Sequence, residues 1–371
     1  MINTIKKFFV VIFLVKKVFF RPKKKYYVLF NKGSKVLTFL LKKNYQLLPT
    51  LKQEINLYVL YKIILKLKFT TLDYYKEYIS IIQPRKVITF IDNDLVFYKI
   101  KFFFKNIFFI SIQNGLRINN KLCLKENRNK FFCDLICLIG KQEQKFYKSV
   151  KTKFVVTGSV LNNNIYKNFN MLDNKKRVIV FVSEYRVYEN YLFTDKIIKK
   201  IYDDNEVILL PILADFCEKN NYKLIIAGCF YKNSHESYKE YTFYKFIFNK
   251  FKNLNWIFLA KKNFFTNYYF LNKISLLVSF GSTLGLEAFS RKVKVLRFQR
   301  QTDSRCGNFW IYNKKKGPYL TNNFDKKNVF NKINKILHDD SDINVEYYNN
   351  IKLSYLIRFD PDNRYLKKII E

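Results

Sequence analysis

Several runs of this chain have strand length and are apolar on both faces: VITFI (Val87 to Ile91), IFFISI (Ile107 to Ile112), RVIVFVS (Arg177 to Ser183), KLIIAG (Lys223 to Gly228) and LLVSF (Leu276 to Phe280). A strand with one face in water alternates apolar and polar residues. One that is apolar on both faces must be covered on both, which is the situation of a parallel sheet between two layers of helix. Segments with helical spacing separate the runs: Ile55 to Leu67, Leu72 to Ile82 (stopped by Gln83 and Pro84) and Glu206 to Lys219, with Pro211 inside it. The runs end at Asp92-Asn93-Asp94, Gln113-Asn114-Gly115, Ser183-Glu184 and Gly281-Ser282-Thr283. In an open parallel sheet, ligands bind at such strand ends.

YYVLF (Tyr26 to Phe30), FVVTG (Phe154 to Gly158), WIFLA (Trp256 to Ala260) and VKVLRF (Val293 to Phe298) extend the series, which restarts after the polar stretch Asn162 to Asn170. A chain of 371 residues exceeds one ordinary core. The expectation is an α/β chain of two Rossmann-like domains, residues 25–165 and 175–345, whose parallel sheets face a central cleft. Gly158 and Ser159 would lie near the join, and the cleft would be the site. A basic, apolar segment, 1–24, precedes the first domain, and 346–371 reads as a terminal helix packing back on it.

The formal charge of +39 would ordinarily indicate a polyanionic partner. Lysine far outnumbers arginine, however, and Lys, Asn, Ile, Phe and Tyr are raised together along the whole chain, which is compositional drift rather than one basic patch. Without a zinc-finger, RNP or basic-zipper pattern, no specific nucleic-acid partner is expected. Attraction to anionic lipid is the better use of the charge. The apolar run Phe8 to Val15 is too short to cross a bilayer. Segment 1–24 either lies in the membrane interface or forms the first element of the fold.

Cys123, Cys133, Cys137, Cys217, Cys229 and Cys306 form no C-x-x-C pair, so a reducing cytoplasm is expected, with peripheral contact at the inner face of the plasma membrane. Cys133 and Cys137 would face one another on a helix as buried thiols. No metal site is indicated by them.

LLVSF-GSTLGLEAF-SRKVKVLRF reads as strand, turn, helix, loop and strand. Gly281 permits a tight turn, Gly285 follows in the helix, and Ser282 and Thr283 fall where hydroxyls cap free backbone amides. The same amides can hold a phosphate, and Glu287, one turn on, can accept hydrogen bonds from a ribose. An ordinary capped helix with an exposed glutamate fits the spacing equally. A nucleophile elbow would need G-x-S-x-G, but Thr283 is central here, and the two histidines, His235 and His338, leave only a distant triad through Asp303.

GSTLGLEAFSRKVKVL resembles the donor-binding segment of GT-B glycosyltransferases. That resemblance implies phosphate contacts at Ser282 and Thr283 and a ribose contact at Glu287, with Gly281, Gly285, Gly228, Ser183 and Glu184 around the donor. ITFIDND, ISIQNGLR and VTGSVLNN together resemble bacterial surface-carbohydrate biosynthesis proteins, a GT-B-like group related to glycerophosphotransferases and to Kdo or sialic-acid-type transferases. Such relatives carry a histidine base where this chain has Asn114. An amide cannot take a hydroxyl proton near neutrality, so Asp92 and Asp94 become the candidate bases, and Gln113, Asn114 and Arg117 the candidate acceptor contacts.

The implied function is transfer of a sugar from a nucleotide-activated donor to a glycan or lipid-linked acceptor, building a lipopolysaccharide O-antigen or similar surface polysaccharide. No cofactor is required, and Arg186, Arg291 or Arg297 would assist the leaving diphosphate. Three alternatives stay open: a polyol-phosphate transferase, a nucleotide-binding relative without activity, and a GT-A-like enzyme using Asp92 and Asp94 to hold Mg²⁺ or Mn²⁺.

Overall fold

The computed structural model describes residues 15–41, 44–51, 53–68, 70–117, 131–164, 177–186, 193–299, 320–338 and 353–371. Cys123, Cys306, Asp303, residues 1–14 of the segment 1–24, residues 165–170 of the polar stretch and residues 346–352 of the terminal stretch lie outside them. The chain divides into two units, Met1–Gly158 with Arg364–Glu371, and Ser159–Asn363.

The first unit is a six-stranded sheet. A small parallel pair, β1 (Lys16–Val18) with β4 (Glu54–Asn56), stands beside it. The sheet comprises β2 (Tyr27–Phe30), β3 (Tyr45–Leu48), β5 (Lys86–Thr89), β6 (Phe108–Ile112), β7 (Phe131–Leu138) and β8 (Val150–Val156), in the order β3-β2-β5-β6-β7-β8. Every pairing is parallel. Helices α1 (Leu57–Leu65), α2 (Thr71–Ile82) and α3 (Leu95–Lys101) connect the strands. Asn56 caps α1 by accepting from Val59 N at 3.1 Å, which is why the apolar segment from Ile55 opens as strand and turns into helix two residues later. Thr70 caps α2, and Gln83, left-handed at φ 53°, ends it before Pro84. Buried α-helical residues such as Val59, Ile63, Ile79 and Phe97 pack on Val28, Phe30, Val87 and Phe109 of the sheet, each contributing about 1.5–3 kcal/mol by leaving water.

The second unit repeats the architecture with β9 (Val178–Val182), β10 (Lys223–Tyr231), β11 (Trp256–Lys261), β12 (Leu276–Ser279), β13 (Val295–Phe298) and β14 (Leu320–Thr321). Their order is β11-β10-β9-β12-β13-β14, again all parallel. Its helices are α4 (Phe193–Lys219), α5 (His235–Phe248), α6 (Thr283–Ser290) and α7 (Lys326–His338), followed by the short α8 (Leu353–Leu356). The chain runs outward from β9 to β11, then returns to the other side of β9 for β12 to β14. The loops after β9 and β12 therefore flank the topological switch point of this sheet, the place where an open parallel sheet offers a crevice.

Three sequence readings change. Cys133 and Cys137 lie on β7, where residues four apart also share a face, and burial pushes the Cys133 thiol up to about 12. The helix read as starting at Glu206 begins at Phe193 and carries Pro211 in its interior. The terminal helix is broken: a turn at Pro361–Asn363, with Asp362 at φ 60°, separates α8 from α9 (Arg364–Ile370). In the first unit, the Ile370 carbonyl of α9 accepts from Lys86 Nζ at 2.6 Å and Tyr27 Oη at 3.3 Å.

Candidate functional site

Each sheet gathers buried polar groups at the carboxyl ends of adjacent strands. In the first unit, Asp92 follows β5, Gln113, Asn114 and Arg117 follow β6, and Glu143 and Tyr147 lie on the 3-10 turn Lys141–Tyr147 after β7. Asp92 is fully buried. Its carboxylate accepts from Arg117 Nε at 2.7 Å, from Arg117 Nη2, from Tyr147 Oη at 2.5 Å and from Asn114 N at 3.1 Å. A carboxylate has about four acceptor sites, and four donors fill them. No lone pair is left for a substrate proton, so Asp92 holds Arg117 in place rather than acting as a base. Asp94 is the N-cap of α3, accepting from Val96 N at 3.0 Å. With Asp92 closed by its ion pair, Asp92 and Asp94 do not offer two free carboxylates for the D-x-D metal clamp. The GT-A alternative gives way as well, because two parallel sheets are present.

Gln113 is likewise committed. Its Nε2 donates to Gly115 O at 2.8 Å and Glu143 Oε2 at 2.6 Å, and its Oε1 accepts from Ile139 N at 2.9 Å, which ties the end of β6 to the end of β7. Asn114 accepts from Arg117 Nη2. Of the expected acceptor contacts, Asn114 and Arg117 stay part-exposed, whereas Gln113 is buried and internal.

Glu143 was not singled out by the sequence. It is 1% exposed and also accepts from Arg117 N at 3.0 Å. Burial pushes its carboxyl up to about 7, against the Arg117 amide and Gln113 bonds that favour the charged form. A buried carboxyl that titrates near neutrality beside a fixed ion pair is the kind of group that accepts and releases protons under working conditions. No motif would have found it, since KQEQKFY is an unremarkable polar stretch.

In the second unit, Ser183 and Glu184 follow β9, Cys229 and Phe230 lie at the end of β10, and Gly281 to Thr283 follow β12. Glu184 Oε1 accepts from Gly281 N at 2.7 Å across the switch point, and Glu184 N donates to Glu206 Oε1 at 3.2 Å. Ser183 Oγ donates to Glu240, and the Tyr244 hydroxyl lies 2.5 Å from Ser183 Oγ and 2.8 Å from Glu206 Oε2. Glu240 also takes the Cys229 amide at 2.9 Å, and burial holds its carboxyl above the usual range. Ser183 and Glu184 therefore sit where expected, but inside a hydrogen-bonded lattice.

Ser282 caps α6 by accepting from Leu284 N at 3.3 Å, and Ser282 and Thr283 are half-exposed at its first turn, with Gly285 buried behind them. Glu287 departs from expectation. It is 3% exposed, its carboxylate takes the Ser159 hydroxyl and the Tyr268 hydroxyl (2.8 Å), and burial raises it. It faces inward, bracing Ser159, which follows Gly158 at φ 80°. Gly228 is a packing glycine: a Cβ there would stand 2.9 Å from Phe258 Cζ and 3.2 Å from the Leu259 carbonyl.

The arginines expected at a diphosphate are also placed inward. Arg291 donates to the Asn162 side chain at 2.8 Å and to the Asn164 carbonyl, and Arg297 Nε donates to Phe280 O at 2.7 Å, steadying the chain just before Gly281. Arg186 is exposed. His235 opens α5, four residues after β10 ends at Tyr231, and His338 closes α7; both are exposed. Among the described residues, no group of three or more His, Cys, Asp or Glu side chains could hold a metal, and no helix is long and apolar enough to cross a membrane.

The family described as "putative O-antigen biosynthesis protein" matches residues 110–371. No curated protein matches the chain by sequence. Among solved structures, the chain is similar to a "putative UDP-N-acetylglucosamine 2-epimerase" from Listeria monocytogenes, at 13% identity over 93% of this chain and 95% of that one, with a TM-score of 0.56. It is similar to the UDP-GlcNAc 2-epimerase from Neisseria meningitidis bound to UDP-GlcNAc, at 12% identity over 93% and 97%, with a TM-score of 0.50. A third likeness is to the wall teichoic acid polymerase TagF, in a histidine-to-asparagine variant soaked with CDPG, at 12% identity over 94% of this chain and 88% of that one, with a TM-score of 0.53. At such identities the likeness is one of fold, the α/β parallel-sheet fold of GT-B-type enzymes.

Proposed function

Because the chain belongs to the family described as "putative O-antigen biosynthesis protein", we propose that it is a transferase moving a sugar, or a polyol phosphate, from a nucleotide-activated donor to a surface glycan under construction. The observation that carries this reading is the pair of parallel sheets, each with buried polar groups concentrated at its strand carboxyl ends. Buried charge and hydrogen-bonded carboxyls cost stability unless they are fully paired, and they collect where chemistry is done. Similar folds hold UDP-GlcNAc in one neighbour and were soaked with CDPG in another, which supports a nucleotide-linked donor.

The donor phosphates would meet the half-exposed Ser282 and Thr283 at the first turn of α6, where amides and the helix dipole favour negative charge. Glu184 fixes that turn through Gly281 N. The first unit would bind the acceptor beside Asn114 and Arg117. Glu143 then takes the acceptor hydroxyl proton, the role that Asn114 cannot fill, while Asp92 and Tyr147 hold the Arg117 guanidinium. The reaction as proposed needs no resident metal, and it belongs in the cytoplasm, where Cys133, Cys137, Cys217 and Cys229 would persist as free thiols.

Replacing Glu143 by Gln tests the assignment. Turnover with a nucleotide-activated donor and its acceptor should fall about 10²–10⁴-fold while donor affinity stays within a few-fold. Loss of donor binding in step with turnover would place Glu143 in the scaffold instead. An epimerase shares the fold, but it would convert UDP-GlcNAc with no acceptor present, so product formation in donor alone separates the two activities.

A further inference from the structure

Helix α1, LYVLYKIIL, is apolar nearly all round. Val59, Leu60 and Ile63 are buried, yet on its other side Tyr61, Ile64 and Leu65 are 57%, 38% and 60% exposed, and Leu67, just past its end, is 81% exposed. A helix apolar on every side is normally covered on every side, and a contiguous exposed apolar patch marks an interaction surface.

Exposed aromatic side chains occur on the neighbouring segments as well. Lys66 pairs with Glu77 of α2 at 2.6 Å, and Lys76 of α2 stands 3.8 Å above the Phe103 ring. Phe103 meets Phe102 edge-on at 5.6 Å, and Phe102 is 66% exposed. At the other end of α1, the carbonyl of Phe20, itself 84% exposed, accepts from Asn56 Nδ2 at 2.9 Å, and Arg21 lies over the Tyr58 ring.

Lys66, Lys76 and Arg21 stand beside these side chains, and the adjoining segments are basic. Asp73 and Glu77 of α2 are each matched by a lysine, Lys76 and Lys66, residues 15–25 contain no acid, and Lys17, Lys23, Lys24, Lys68 and Lys105 are exposed. A second copy of a chain carrying +39 would set like charges against each other here. A nucleic acid would satisfy the lysines and leave Ile64, Leu65 and Leu67 in water. We propose that this face of the first unit rests on an anionic lipid surface, with Leu65, Leu67, Phe20 and Phe102 entering the headgroup boundary and the surrounding lysines and Arg21 meeting the lipid charge. This places the membrane contact on a folded helix face rather than on the amino-terminal segment alone.

The test is co-sedimentation of the full chain with phosphatidylcholine vesicles and with vesicles that also contain phosphatidylglycerol, comparing the wild type with a Leu65→Ser, Leu67→Ser, Phe102→Ser triple variant. All three positions are exposed, so the variant should keep the wild-type melting temperature. The expected result is binding that needs phosphatidylglycerol, weakens with salt, and falls about tenfold or more in the variant. Unchanged partition of the variant, or equal binding to neutral vesicles, overturns the proposal. So does a concentration-dependent dimer, or oligonucleotide binding, that the triple exchange abolishes while neither protein binds vesicles.

Discussion

At the scale of single residues the proposed base is Glu143, and its burial makes it testable twice. Its folded-state value, about 7, stands above the unfolded 4.5, so between those values the folded chain binds more protons than the unfolded one. Stability is therefore lost as pH rises through that window and levels off above about 7. The shift corresponds to about 3 kcal/mol at most. Glu143→Gln should narrow the stability difference between about pH 5 and pH 8, as read by denaturant unfolding, while removing activity. If Glu143 is the base, wild-type turnover should rise with pH through about 7, and the variant should lack that limb. Glu287 makes the opposite forecast. Glu287→Ala leaves the Ser159 and Tyr268 hydroxyls without their acceptor and should cost about 1–3 kcal/mol, with nucleotide affinity preserved. A folded, equally stable Glu287→Gln protein that has lost nucleotide binding would restore its ribose role.

At the scale of elements, the sequence was most legible where physics leaves one choice. Runs apolar on both faces became parallel strands at Val87, Phe108, Val178, Lys223 and Leu276 within a residue or two. β7 was not legible, because Asp134 interrupts FFCDLICL and the Cys133–Cys137 spacing fits a helix as well as a strand. The structure accounts for that acid: Asp134 accepts from Phe109 N at 2.7 Å and pairs with Lys101 at 2.8 Å. The turn at Gly281 is legible from its glycine, whereas helix spacing gives the face of the Glu287 side chain and not its partner. Its partners, Ser159 and Tyr268, are remote in sequence, as are those that close Asp92. Gly228 shows the same limit, since its reason lies on β11. Gly228→Ala should destabilise by about 1–3 kcal/mol through overpacking, and adding Phe258→Leu should recover part of that loss in thermal unfolding.

On the scale of the whole molecule, the division between Gly158 and Ser159 falls before the polar stretch that reads as a linker, because Ser159, Asn162 and Asn163 are held inside the second unit by Glu287, Ser290 and Asn363. Charge, the loudest feature of the composition, is spread along the chain and says little about the reaction. The proposed chemistry rests on the sheet-end clusters, whose members are drawn from different loops.

The central claim is that the chain handles a nucleotide-activated donor. Thermal unfolding with CMP, CDP, UDP, GDP and dTDP in turn tests it most directly, since a ligand at about a hundred times its Kd adds about 2.7 kcal/mol to the folded state. The account predicts a saturable rise of about 3 °C or more with at least one of these nucleotides, retained in Glu143→Gln. A well-folded protein whose melting temperature none of the five moves would contradict it.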